Sequence, residues 1–129
     1  MRTASLPAAA VALLAGTPAS ATSSIHCRTG PHGPDLWLVV PSEPGAGIVE
    51  ARIVQGREEV AAGQTRSGPW ISQSAVNERR LSLRVAAGGT RDVIMLLTAV
   101  RSGIPYVGAV TWRGRSWGVR CFWDEDDPE

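Results

Sequence analysis

Short segments in which hydrophobic and polar residues alternate run along most of this chain, and alternation with a period of two is typical of β-strands. Residues 48–55 (IVEARIVQ) place apolar side chains on one face and charged side chains on the other. Residues 81–86 (LSLRVA) repeat this pattern, whereas residues 35–40 (DLWLVV) form a continuous apolar run. The first two patterns predict half-exposed strands, and the third predicts a strand buried on both faces.

Turn signals separate these segments from one another. Residues 55–57, 88–89 and 113–114 contain glycine and can each reverse the chain, and residues 77–78 lie between two further strand patterns. The remaining predicted strands are 58–62, 70–76, 106–112 and 115–123. Strands joined by such short connections pair with their neighbours in sequence. The pattern therefore predicts an all-β protein, a small antiparallel up-and-down barrel or flattened sandwich of seven or eight strands.

One segment, residues 91–101 (RDVIMLLTAVR), fits two kinds of secondary structure. Its apolar residues also fall at helical spacing, with Thr90 as a suitable N-cap and Gly103 just beyond the end. A strand is favoured, because the segment lies between two strand-like neighbours joined by tight turns. A helix is the alternative.

The first 21 residues have the features of a signal peptide. Arg2 is followed by an apolar stretch at residues 8–15 and by a small-x-small cleavage signal at residues 19–21. That stretch is too short to span a bilayer, and no later apolar segment is long enough. The predicted division is a signal peptide over 1–21, a β-domain over 22–123 and an acidic tail over 124–129. The predicted location is periplasmic or secreted.

Cys27 and Cys121 are the only two cysteines, and they lie near the two ends of the predicted domain. In an oxidising compartment such a pair predicts a disulfide. The alternative, a metal site made by His26, Cys27 and His32, matches no usual zinc spacing. No metal and no cofactor is therefore predicted.

Charge is distributed unevenly, although the formal net charge is only +1. All 13 basic residues are arginines, and five of the last six residues are acidic. Residues 22–123 are therefore basic. The acidic block at 124–129 predicts a solvated, disordered tail. The alternative is a tail that folds back over the arginine surface and competes with an anionic partner.

The residue types that catalysis needs occur in no recognisable arrangement. His26 and His32 are the only imidazoles, and both lie beside Cys27 in a turn-rich segment. No serine lies in a G-x-S-x-G or S-x-x-K motif. The adjacent carboxylates Glu58 and Glu59 would point to opposite sides of a strand. These features predict a protein that binds and is not an enzyme.

Arginine and tryptophan alternate around the predicted turn at residues 113–114. Trp112, Arg113, Arg115 and Trp117 would all lie at the tip of this hairpin. Tryptophan and arginine are the residue types that dominate binding hot spots. The predicted partner is a protein or an anionic envelope component, since export argues against nucleic acid. The alternative is that arginine packs over tryptophan on the barrel exterior without any ligand.

The layout resembles small exported bacterial proteins that have one cysteine near each end and a closing Y-x-G…V-x-C hairpin, here residues 106–108 and 119–121. It is also similar to the periplasmic C-type lysozyme inhibitors, small antiparallel barrels with an S-G-x-x-Y motif and a K-G motif preceded by an aromatic residue. Residues 67–70 (SGPW) match the first motif, with Trp70 in place of tyrosine. Residues 112–114 (WRG) approximate the second motif, with arginine in place of lysine.

This resemblance implies an alternative function, inhibition of a lysozyme. Ser67 and Arg113 would enter the lysozyme cleft, where a hydroxyl and a cation hydrogen-bond the catalytic carboxylates. Two departures count against it: the motifs lie far apart in the chain, and a basic surface would repel a cationic lysozyme.

Overall fold

The computed structural model describes residues 22–43 and 45–128, so the predicted signal peptide lies outside the described residues. Nine strands form a single sheet. They are β1 (Thr22–Arg28), β2 (Asp35–Pro41), β3 (Glu50–Gln55), β4 (Glu58–Ala62), β5 (Trp70–Val76), β6 (Arg80–Ala86), β7 (Val93–Arg101), β8 (Tyr106–Trp112) and β9 (Arg115–Trp123). In the part of the chain that is described, no helix is long and apolar enough to cross a membrane.

The sheet follows a meander that nearly closes into a barrel. Its strand order is β4-β3-β2-β1-β9-β8-β7-β6-β5, and all eight neighbouring pairs are antiparallel. Eight reversals bring β4 and β5 into the same direction, so the seam between them has to be parallel. A parallel bridge between Gly63 and Trp70 joins them there, and the Ile71 amide donates to the Gly63 carbonyl at 2.8 Å. The predicted antiparallel barrel is therefore confirmed, with nine strands in place of seven or eight.

Further along β5, the connection between β2 and β3 covers the seam. The Ile48 amide donates to Ser74 Oγ at 2.9 Å, and the Ile48 side chain is buried in the core. Gly47 packs so closely that a Cβ there would collide with Ser74 Oγ. Residues 47–48 thus pack directly against Ser74 of β5.

The core consists of side chains that point inward from every strand. Strand β2, which the sequence predicts to be buried on both faces, instead alternates: Leu36, Leu38 and Val40 are buried, whereas Trp37 and Val39 are partly exposed, because only one face of a barrel strand meets the core. Leu81, Leu83 and Val85 of β6 are buried as predicted. Residues 91–101 contain strand β7, whose Met95 and Leu97 are buried while the intervening residues are exposed. Continuous pairing with β6 and β8 excludes the helical alternative, because backbone groups that bond neighbouring strands cannot also form helical hydrogen bonds.

The predicted disulfide is confirmed. Cys27 of β1 and Cys121 of β9 lie directly opposite each other in the β1–β9 ladder, with their Cα atoms 4.0 Å apart. Both are fully buried. The bond therefore joins the first and last strands inside the core.

The strand that sequence analysis missed is β1, which the pattern assigns to a turn-rich segment. In the acidic C-terminal segment, Asp124–Asp126 form a 3₁₀ turn, and Asp127 contacts Arg28 and His26. Asp124, Glu125 and Asp126 are exposed to solvent, whereas Asp127 lies against β1 with 11% of its side chain exposed. The physical reason is that a cation and an imidazole of β1 face the acidic segment and give its carboxylate hydrogen-bonding partners.

Candidate functional site

The predicted hairpin tip has the predicted turn. Trp112 pairs with Arg115, and the two residues between them both have positive φ, 52° for Arg113 and 83° for Gly114. Positive φ at both central positions is the geometry of a type I′ turn, which matches the twist of the flanking strands. Arg113 thus occupies the left-handed region, where glycine and asparagine are more common.

Trp112 is not available at the surface, although the sequence places it in the binding tip. Only 1% of the residue is exposed, and its Nε1 donates to Gln55 Oε1 at 3.0 Å. The Gln55 amide also donates to the His32 carbonyl at 2.9 Å. Gln55, at the end of β3, therefore links the connection between β1 and β2 to the end of β8. Trp112 fills the core at this end of the barrel. The sequence does indicate that Trp112 is buried, because it lies in phase with the inward-facing residues Tyr106 and Val110.

Arg113 is exposed but already has two partners. Its Nη2 lies 2.5 Å from Glu58 Oε2, and its guanidinium carbon lies 4.7 Å from the centre of the Trp112 ring. Surface ion pairs of this kind stabilise by about 0 to 1 kcal/mol. A ligand at the tip would have to compete with Glu58 for this arginine.

The other two tip residues form a second stacked pair. The Arg115 guanidinium carbon lies 5.6 Å from the Trp117 ring centre, and Trp117 is half-buried against the core. Gly33, in the connection between β1 and β2, packs against the indole, because a Cβ there would lie 2.9 Å from Trp117 Cδ1. The exposed surface of the tip is therefore made by Arg113, Arg115 and part of Trp117.

Ser67 and Trp70, the other two predicted contacts, belong to the connection between β4 and β5 and to the start of β5. Ser67 is exposed in the connection between β4 and β5, with its Oγ 3.2 Å from Thr65 Oγ1. Trp70 is half-buried, and its Nε1 donates to the Thr90 carbonyl at 2.9 Å. Among the contacts of the described residues, none joins Ser67 to Arg113.

Trp70 lines an open groove that sequence analysis did not find. The groove has a volume of 380 Å³, and we call it the Trp70 groove. The Arg66 guanidinium carbon lies 4.4 Å from the centre of the Trp70 ring. The residues that line the groove are Arg66, Trp70, Ser72, Arg84, Arg91 and Val93.

The three arginines of the Trp70 groove come from separate elements. Arg84 lies on the outward face of β6, whereas Arg66 and Arg91 belong to the connections before β5 and β7. Those two connections pack together: the Gly89 amide donates to the Arg66 carbonyl at 2.9 Å, and Gly88 lies against the Gly68 backbone. No sequence motif indicates this cluster, because only strand pairing brings the three positions together.

Three arginines elsewhere on the protein pair with carboxylates: Arg28 with Asp127, Arg52 with Glu59 and Arg113 with Glu58. Arg52 Nε donates to Glu59 Oε2 at 2.8 Å, and this bond and the glutamate charge raise the pKa of Arg52 above its usual value. Within residues 22–43 and 45–128, by contrast, none of the three arginines of the Trp70 groove forms an ion pair. Three uncompensated guanidinium groups around one concave surface create a positive potential that attracts anions.

No group of three or more histidine, cysteine or acidic side chains among the described residues could hold a metal ion. Comparison with known proteins gives no family: no family model matches the chain, and neither a curated protein nor a solved structure matches it.

Proposed function

We propose that this protein is an exported, non-enzymatic binding protein that holds an anionic ligand in the Trp70 groove. The observation that carries the proposal is the convergence of Arg66, Arg84 and Arg91 on one cavity without a carboxylate partner among the described residues. Guanidinium groups present a planar fork of donors that fits carboxylate, phosphate and sulfate oxygens.

The groove suits one charged group of a larger molecule. It is open to solvent, and Arg66 stacks on Trp70, which orients the guanidinium. The predicted signal peptide places the protein outside the cytoplasm, where acidic glycans and lipid head groups carry such anions. The proposed ligand is therefore an anionic component of the cell envelope.

Binding of dextran sulfate, with neutral dextran as the reference ligand, tests this proposal by calorimetric titration. The variant R84Q/R91Q should bind at least about tenfold more weakly, since even one hydrogen bond to a charged group contributes about 1.5 to 3 kcal/mol and about 1.4 kcal/mol is a factor of ten. The matched control is R57Q/R79Q, which removes two exposed arginines outside the groove. Equal weakening by both double variants would show a diffuse effect of net charge and would count against the groove.

The hairpin tip is the second candidate contact for the same ligand class. Arg115 is exposed and stacks on Trp117, so it can meet an anion without disturbing the core. The variant R113Q/R115Q in the same titration separates the two surfaces. Affinity loss in this variant alone would assign binding to the tip and not to the Trp70 groove.

Inhibition of a lysozyme is a second proposed function, supported by the exposure of Ser67 beside Arg66. It is tested by titrating the oxidised protein against C-, G- and I-type lysozymes at physiological salt. Stoichiometric inhibition that disappears in S67A and in R113A would support it. Anion binding in the Trp70 groove should instead be unchanged in S67A, so this variant distinguishes the two functions.

A further inference from the structure

The acidic C-terminal segment, residues 124–128, is held by side chains of β1. Asp127 Oδ1 accepts a hydrogen bond from Arg28 Nη2 at 2.6 Å, and its Oδ2 lies 3.2 Å from His26 Nδ1. Only 11% of the Asp127 side chain is exposed. The carboxylate is therefore bound by the domain and largely withdrawn from solvent.

The receiving side chains are fixed in place by the barrel. The His26 ring stacks on Trp37 of β2, with ring centroids 4.4 Å apart and planes 15° from parallel. On the other side, His26 pairs in register with Phe122 of β9. Because β1 is flanked by β2 and β9, the imidazole is held in place, and together with the Arg28 guanidinium it forms a recess for a carboxylate.

A larger groove continues from this recess over the outer face of β8 and β9. Its volume is 590 Å³, and Arg28 and Pro128 lie on its lining together with Arg120, Phe122 and Val107. Gly118 leaves the floor open, since a Cβ at that position would meet no atom within 4 Å. The groove therefore offers an arginine and apolar surface beyond the point that Asp127 occupies.

We propose that this face is a docking site for an acidic peptide segment of a partner protein, and that residues 124–128 occupy it in the partner's absence. Charge complementarity supports this occupant, because Asp127 of the chain's own acidic segment is seated there on Arg28 and His26. The adjoining groove supplies the additional contacts that a longer peptide needs. This site is separate from the Trp70 groove and stands independently of the function proposed for that groove.

Because residues 124–128 are attached to the domain, a partner peptide has to compete with them for the same site. A short connection gives an attached segment an effective concentration on the order of millimolar. A free acidic peptide at micromolar concentration therefore competes poorly with the intact C-terminal segment. Weakening the Asp127 contact should raise the affinity for an added peptide, whereas removing Arg28 should abolish binding altogether.

The probe is a labelled peptide with the sequence of residues 123–129 (WDEDDPE), titrated with the full chain and followed by fluorescence anisotropy. The variant D127N should bind this peptide about tenfold more tightly than the unaltered protein. Adding R28Q to D127N should abolish peptide binding, while the matched control R57Q/D127N should retain the gain in peptide affinity. A peptide in which every acid is replaced by its amide should not bind.

A second variant is used in case D127N alone does not release residues 124–128 from β1. It replaces the four acids at residues 124–127 with Asn, Gln, Asn and Asn. Equal peptide affinity for this variant and the unaltered protein would overturn the proposal, and so would an R28Q substitution without effect. Binding of dextran sulfate at this face without any binding of the peptide would assign it to a polyanion instead and also overturn the proposal.

Discussion

Removal of the Cys27–Cys121 disulfide should cost this protein a large part of its free energy of unfolding. The two cysteines are separated by 94 positions in sequence, so the bond closes a loop that contains almost the whole described domain. In the unfolded state the disulfide strongly reduces the conformational entropy of the chain within this loop. In the folded state the two residues are already neighbours across β1 and β9, so the bond demands no extra ordering there.

The magnitude follows from the loop length. The chain-entropy relation gives about 4.7 kcal/mol at 25 °C for a loop of this size. Domains of this size have a total stability of about 5 to 15 kcal/mol. The reduced protein should therefore retain about 0 to 10 kcal/mol of that stability, with β1 and β9 joined by the four residue pairs of their ladder and by the contacts of Asp127 with Arg28 and His26.

Unfolding in guanidinium chloride, followed by tryptophan fluorescence, measures this loss. The oxidised protein is compared with the same protein in reductant and with the variant C27A/C121A, which serves as the control for incomplete reduction of buried sulfurs. The denaturant slope should rise, because an unfolded chain without the cross-link exposes more surface. A stability loss below about 1 kcal/mol in both reduced and substituted protein would refute the entropic reasoning.

Two further predictions use neighbouring residues as matched controls. Leu97 is fully buried, whereas Leu96 is 38% exposed. L97A should therefore lower the free energy of unfolding by about 2 to 5 kcal/mol, while L96A should change it by less than about 0.5 kcal/mol. Equal effects in denaturant titrations would contradict the assigned orientation of β7. A Cβ on Gly108 would collide with the Thr98 carbonyl, whereas one on Gly118 would meet nothing, so G108A should cost about 1 to 3 kcal/mol in thermal unfolding and G118A should be nearly neutral. A stable G108A protein would show that β8 can shift away from β7.

Much of the site escaped prediction for reasons that particular residues show. Trp112 was assigned to the surface on residue type, although its phase with Val110 places it inside. The hairpin turn at residues 113–114 was predictable because turn geometry depends on local sequence. The Trp70 groove was not, because Arg84 and Arg91 become neighbours of Trp70 only after β5, β6 and β7 pair.

The sequence by itself determined what depends on short-range chemistry: the strands with clear alternation, the tight turns, the basic composition and the pairing of the only two cysteines. Tertiary structure alone decided the rest. Strand β1 (Thr22–Arg28) has a weak pattern of its own and is a strand because β2 and β9 satisfy its backbone on both sides. The position of Asp127 has a similar origin, since its contact with Arg28 spans a separation that no local pattern encodes.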